Sequence, residues 1–150
     1  MRRSRKTYKR PRKPFDKERI EAEKELMKKY GLRRKKEIWK AEAILRKYRR
    51  LARRLAAEKN EAQEKQLIEK LKKMGIMESG NSLDDVLGLT VEDILKRRLQ
   101  TVVYQRGLAR TPKHARQLIV HGHVFLKGRR ITFPSYLVPK EEEDKIEVKV

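Results

Sequence analysis

The stretch from Gly107 to Gly128, GLARTPKHARQLIVHGHVFLKG, carries denser structural punctuation than any other part of the chain. Gly107 ends a helix predicted over about 91–106, because glycine takes the left-handed cap conformation at no steric cost. Thr111 followed by Pro112 opens the next helix. The hydroxyl can accept from a first-turn N–H, and proline lacks an N–H that would find no partner there. On that helix Ala115, Leu118 and Ile119 share a side at spacings of three and four, with Lys113, Arg116 and Gln117 turned more nearly the other way. Gly122, between His121 and His123, ends it, and 124–126 begins a strand. Two short helices and a strand must therefore pack closely. Almost every polar side chain among them is a hydrogen-bond donor suited to phosphate or base edges.

Beyond this stretch the pattern turns to strands. Val124-Phe125-Leu126 and Arg130-Ile131-Thr132-Phe133 flank Lys127-Gly128, which predicts a hairpin. Two-residue hairpin turns favour Asn-Gly or Asp-Gly, since both positions can require positive φ. Lys127 in the first position leaves the turn type open. Pro134 breaks the run, and Leu137-Val138 predicts a further short strand. Glu141-Glu142-Glu143-Asp144 reads as a solvent-facing turn. Ile146, Val148 and Val150 alternate, which marks a final strand with one buried face.

The first half reads as helical. Asp16 caps a helix predicted over 17–30, closed by Gly31 and carrying a thin stripe of Ile20, Met27 and Tyr30. A longer helix, 34–58, has Ile38, Ala41, Leu45, Tyr48, Ala52 and Leu55 along one face. Its other side carries Arg46, Arg49, Arg50, Arg53 and Arg54. Like charges at these spacings repel on a helix, so this face calls for phosphates. Trp39 is expected to pack between helices. Asn60 with Gln63 resembles a capping box for a third helix through Met74. Residues 76–82 read as a linker, and Leu83, Val86 and Leu87 as a short helical plug. Thr90 with Asp93 opens the helix 91–106, on which Val91, Leu95, Leu99 and Val102 stack. The fold class is α+β: a small helical subdomain, 16–90, then a two-helix module with a small antiparallel sheet, 91–150, preceded by a basic arm, 1–15.

Charge narrows the partners. The chain has 42 Lys plus Arg against 21 Asp plus Glu, a net +21 over 150 residues. So large a surplus repels itself until a polyanion neutralises it, and nucleic acid is the obvious one. An anionic membrane is the rival, but the helices lack the bulky apolar faces it needs. No apolar run approaches the roughly 18 residues of a membrane span, and the amino terminus lacks the apolar core of a secretion signal. Without cysteine, disulfides and the common zinc sites are ruled out. The arm MRRSRKTYKRPRKP has no acid and should be disordered alone. It supplies Arg2, Arg3, Arg5, Lys6, Arg10 and Arg12 for phosphates, with Tyr8 available to stack. A targeting signal or solubilising tail is the alternative reading of the arm.

Several runs, taken together, resemble a known family. They are Arg97-Arg98-Leu99-Gln100-Thr101, Val103-Tyr104, Gly107-Leu108-Ala109-Arg110, Ala115-Arg116-Gln117-Leu118-Ile119, His121-Gly122-His123-Val124, Gly128 and Pro134-Ser135-Tyr136. They resemble the RNA-binding domain named after ribosomal protein S-four, in the archaeal and eukaryotic branch of that ribosomal family. A weaker likeness runs upstream through Leu83-Asp84-Asp85-Val86-Leu87 and Tyr30-Gly31-Leu32 to Trp39. The resemblance implies that the helix pair and adjoining strand face RNA. Carried over by position, the candidates are Arg106, Arg110, Thr111, Lys113, Arg116, Gln117, His121 and His123, extended by Lys127, Arg129 and Arg130 at the hairpin.

Physically these residues suit the task. Arginine offers a planar fork for phosphate or a guanine edge, and Thr111 with the free N–H groups behind it can hold a phosphate. Gln117 either positions a base or satisfies a local backbone group. His121 and His123 lack the further ligands of a metal site and read as RNA or turn contacts. Tyr136 is expected against the sheet, and the acidic turn is expected to face away from RNA. No nucleophile has a base and orienting group in evident pattern, and there is no glycine-rich nucleotide loop, so an enzyme is not expected and no cofactor is implied.

The resemblance implies a structural protein of the small ribosomal subunit, in the cytoplasmic ribosome. It would bind small-subunit rRNA, clamp a helix junction early in assembly, and contribute to translational accuracy near the point where mRNA enters. Neighbouring small-subunit proteins are the other expected partners. A freestanding RNA chaperone using the same module is the alternative; the additional helical half argues against it.

Overall fold

A computed structural model describes residues 5–149. The chain runs α1 (Lys17–Tyr30), α2 (Lys35–Glu58), α3 (Glu61–Lys73), α4 (Leu83–Leu87), α5 (Val91–Lys96), α6 (Leu99–Gln105), α7 (Pro112–Val120), β1 (Val124–Leu126), β2 (Arg129–Arg130), α8 (Lys140–Glu143) and β3 (Ile146–Val148). This is an α+β architecture. Among the described residues, no helix is long and apolar enough to cross a membrane.

Local chemistry sets most boundaries. The Asp16 side chain accepts from Arg19 N, and Gly31, at φ +62°, closes α1 through an N–H bond to Met27 O. Glu37 folds back to accept from the N–H groups of Arg33 and Arg34, at 3.3 Å each, and so opens α2. At the capping box expected of Thr90 and Asp93, the Thr90 N–H and hydroxyl both donate to Asp93 Oδ2, at 2.8 Å each. On α2 the residues Ile38, Ala41, Leu45, Ala52 and Leu55 are buried, with Tyr48 packed at the margin.

Two cores result. The first joins that face to Leu67, Ile68 and Leu71 of α3, Val86 of α4, and Ile94 and Leu95 of α5. The second gathers Leu99, Val102 and Val103 of α6, Ala115 and Ile119 of α7, and Val124, Leu126, Val138 and Ile146. The division between cores falls between Leu95 and Leu99.

A single helix over 91–106, as predicted from periodicity, is not what forms. It breaks at Arg97-Arg98, where Arg98 is extended (φ −68°, ψ 141°). The segment after the hairpin takes over the helical hydrogen bonds: Leu99 N donates to Tyr136 O (2.7 Å) and Val138 N to Arg97 O (2.9 Å). Leu137, expected in a strand, contributes only an isolated bridge to Arg98. The apolar spacing continues across the break, so the pattern conceals it.

The sheet is antiparallel in the order β2-β1-β3, with Leu126 opposite Arg129 on one side and Ile146 on the other. Lys127 (φ +50°) and Gly128 (φ +76°) are both left-handed, as a type I′ turn requires. The second strand is shorter than expected. It ends at Arg130, and Thr132 and Phe133 leave the sheet because the Phe133–Tyr136 turn docks on the start of α6, with Gln100 N donating to Pro134 O. Val150, expected to extend β3, lies outside the described residues.

In the arm, Tyr8, expected to be available for stacking, already has a ring partner. Residues 6–12 lie beside α2, and the Tyr8 and Trp39 rings pack at 5.9 Å between centroids. Trp39 in turn donates to Glu23 of α1 at 2.9 Å, so it does pack between helices.

Candidate nucleic-acid interface

The site begins with the seam that fixes one half of the chain against the other. Glu37, near the start of α2, accepts from Arg98 Nη2 at 2.8 Å and from Arg116 Nη1 and Nη2 at 3.0 and 3.2 Å. Burial alone would raise the Glu37 carboxyl. The hydrogen bond from Arg116 and the charges of Arg98 and Arg116 outweigh burial and hold it below its ordinary value. Beside it lies Gln100, fully buried. Its amide nitrogen is 2.9 Å from both Gly31 O and Pro112 O and 3.2 Å from Tyr30 O, which ties the α1–α2 turn to the start of α7. The approach is close enough that a Cβ at Gly31 would stand 2.8 Å from Pro112 Cβ.

Three of the arginines expected at RNA are turned to protein groups. Arg116 lies in the seam. Arg106 donates to the carbonyls of Glu143 and Ile146. Arg49 donates to Leu89 O at 2.6 Å. Helical spacing places a side chain on a face; it does not say what covers that face. In each case a segment 37 or more residues away supplies the acceptor.

Most of the remaining described candidates lie in two open groups. At α7, Arg110, Thr111, Lys113, Gln117 and His121 are exposed. Thr111 accepts from His114 N at 3.1 Å, so its cap role is filled while its hydroxyl faces solvent. Arg129 and Arg130 are exposed on β2, and the Arg130 stem lies over Gly122, which brings the hairpin beside the end of α7. Lys127 pairs with Glu142 at 2.7 Å, and His123 has its Nδ1 3.1 Å from Lys149 O.

The second group lies along α2. Arg46, Arg50 and Arg53 are exposed there, and Arg54 pairs with Glu58 at 2.7 Å. The arm and this helix together bound a cleft of about 600 Å³, with Lys6, Arg10 and Arg12 on one wall and Arg46, Lys47 and Arg50 on the other. Among the described residues no carboxylate lines it. Cations held this close across water attract a run of phosphates. Arg5 is exposed beyond the cleft, and Arg2 and Arg3 lie outside the described residues.

The acidic turn was expected to face solvent, and this expectation fails for its inner residues. Glu142 accepts from Tyr136 Oη at 2.8 Å as well as from Lys127, and Glu143 pairs with Arg97 at 2.9 Å. The hydrogen bond from Lys127, then that from Tyr136, holds the Glu142 carboxyl below its usual range. Lys127, Tyr136 and Arg97 thus hold these acids against the module. Among the described residues no group of three or more His, Cys, Asp or Glu could hold a metal ion.

Glu37, Arg98 and Gln100 were not singled out as site residues by sequence reasoning. One signal was available: Gln100 is a polar residue between Leu99 and Val102, on the stretch of α6 whose neighbours are predominantly apolar.

Residues 97–144 match the S4 domain, and residues 2–96 match the ribosomal protein S4/S9 N-terminal domain. The small ribosomal subunit protein uS4 of Methanothermobacter thermautotrophicus is 53% identical over 148 residues, covering 97% of this chain and 86% of its own length. The proteins of the same name from Nanoarchaeum equitans and Ignicoccus hospitalis are 50% and 51% identical, covering 98% and 97% of this chain and 84% and 89% of theirs.

Proposed function

The chain belongs to the ribosomal protein S4/S9 family, alongside archaeal small-subunit proteins named uS4, and we propose that it is a structural, non-catalytic constituent of the small ribosomal subunit that binds rRNA directly. In this reading it works in the cytoplasmic ribosome, with rRNA and neighbouring small-subunit proteins as its partners. The observation that carries the RNA part is the pair of cationic surfaces, one at α7 and the hairpin and one in the arm–α2 cleft. They sit on two cores that the Glu37 and Gln100 contacts hold together.

Two rigidly related phosphate-binding surfaces suit a folded junction better than a linear sequence. RNA helices are recognised mainly by shape, backbone and 2′-hydroxyl groups. The protein thus acts as a clamp on an rRNA helix junction during early assembly. The arm 1–15, the helical unit through α5 and the module from α6 onward serve as the phosphate-tracking, bracing and docking parts. The family resemblance supports a further contribution to decoding accuracy, with mRNA close by.

The chaperone alternative requires only the module. The buried contacts that commit the helical half to it favour the ribosomal reading. Sedimentation in high salt tests the choice: the protein is expected to travel with small subunits. Recovery only with free RNA or large-subunit particles would reverse the assignment.

A further inference from the structure

Phe15 is 92% exposed, more than any other large apolar side chain among the described residues. It stands where the arm meets α1, and the two residues before it are held in place. Arg19 Nη2 donates to the carbonyls of Lys13 and Pro14, both at 3.1 Å. Nη1 of the same guanidinium pairs at 2.6 Å with Glu23, itself buried and bonded to Trp39. The ring is therefore presented to solvent from a clamped loop, although hiding it against the stems of nearby lysines would lower its free energy.

We infer that Phe15 is a stacking platform for one unpaired nucleobase of the strand whose phosphates lie along the arm, an assignment that rests on the RNA-binding reading above. The arm on its N-terminal side carries Lys9, Arg10, Arg12 and Lys13, with no acid among the described residues 5–14. On its other side Asp16 is engaged as the cap of α1. Cations fix a sugar–phosphate chain without reading it, and a phenyl face accepts any base because every base has a π surface. A protein partner is the poorer fit. Around the ring lie Arg12, Lys13, Asp16, Lys17 and Glu18, all exposed, whereas the centres of protein interfaces are depleted in charge.

The test measures binding of the wild type, Phe15→Ala and Phe15→Trp to single-stranded oligoadenylate and to an abasic ribose–phosphate oligomer of equal length. Fluorescence anisotropy over a salt series reports both affinity and charge. Phe15→Ala should lose about tenfold on oligoadenylate, nothing on the abasic oligomer, and none of the salt slope; Phe15→Trp should restore the loss. Equal effects on both oligomers, or no effect on oligoadenylate, would overturn the platform while leaving RNA binding standing. A wild type that binds neither oligomer at low salt would overturn the RNA reading itself.

Discussion

Arg116 on α7 donates through both terminal nitrogens to the two carboxylate oxygens of Glu37 on α2, 79 residues earlier in the chain. A fork-to-fork pair of this kind fixes direction as well as distance. Arg98 shares the same carboxylate from the kink between α5 and α6. One acid thus joins three elements, and the two cationic surfaces inherit a fixed relation through it.

Removing that acid should be costly. Glu37→Gln leaves Arg98, 6% exposed, without its counter-charge. A buried pair broken on one side typically loses about 3 kcal/mol or more. Arg116→Ala, at a more open position, should lose about 2 kcal/mol. Urea unfolding checks both. Losses within experimental error would mean that the seam does not bear on stability.

The same acid sets a pH dependence. Its folded pKa lies below the ordinary 4.5, so the unfolded chain binds the proton more readily. The stabilisation from ionised Glu37 is present in full above about pH 4.5 and declines as the pH falls through the lower folded value. Midpoints of thermal unfolding should drop on acidification in that window, and the drop should be smaller in Glu37→Gln. An identical acid profile for the two proteins would remove Glu37 from the account.

Gly31 and Gly107 offer a matched comparison. Both have positive φ, +62° and +72°, so alanine at either carries a left-handed strain of about 1 kcal/mol. At Gly107 a Cβ meets nothing within 4 Å, whereas at Gly31 it meets Pro112 and Gln100 at under 3 Å. Gly31→Ala should therefore destabilise clearly more than Gly107→Ala. Equal losses in denaturant titrations would show that the two halves do not meet as closely as described.

Affinity for a small-subunit rRNA fragment should fall steeply with salt, by roughly 0.7 to 0.9 log units per tenfold rise in salt for each phosphate neutralised. Lys113→Ala and Arg50→Ala, one from each open surface, should each flatten that slope by about one phosphate while leaving unfolding unchanged. Arg116→Ala should instead register mainly in stability. A flat salt response of the wild type would end the phosphate-clamp proposal.

Much of this was readable in the residues themselves. Asp16, Asn60 and Thr111 mark helix starts by accepting from N–H groups within the next turn, Thr90 marks one by donating to Asp93, and Gly31 and Gly107 mark ends through their own φ. The apolar face of α2 and the Lys127-Gly128 hairpin are equally local. Such features depend on neighbours three or four positions away, so spacing and residue type suffice to find them. Charge likewise told what kind of partner to expect.

The destination of each charged group was another matter. Arg46 and Arg49 are three residues apart on one helix, yet one faces solvent and the other donates to Leu89 O, because α4 and the turn after it close over only part of the surface. The break at Arg97-Arg98 depends on backbone partners from 136–138, and the burial of Gln100 on carbonyls at Tyr30, Gly31 and Pro112. Local pattern fixes what a side chain can do. Which side chains remain free to do it depends on segments dozens of residues away, brought together only when the cores pack.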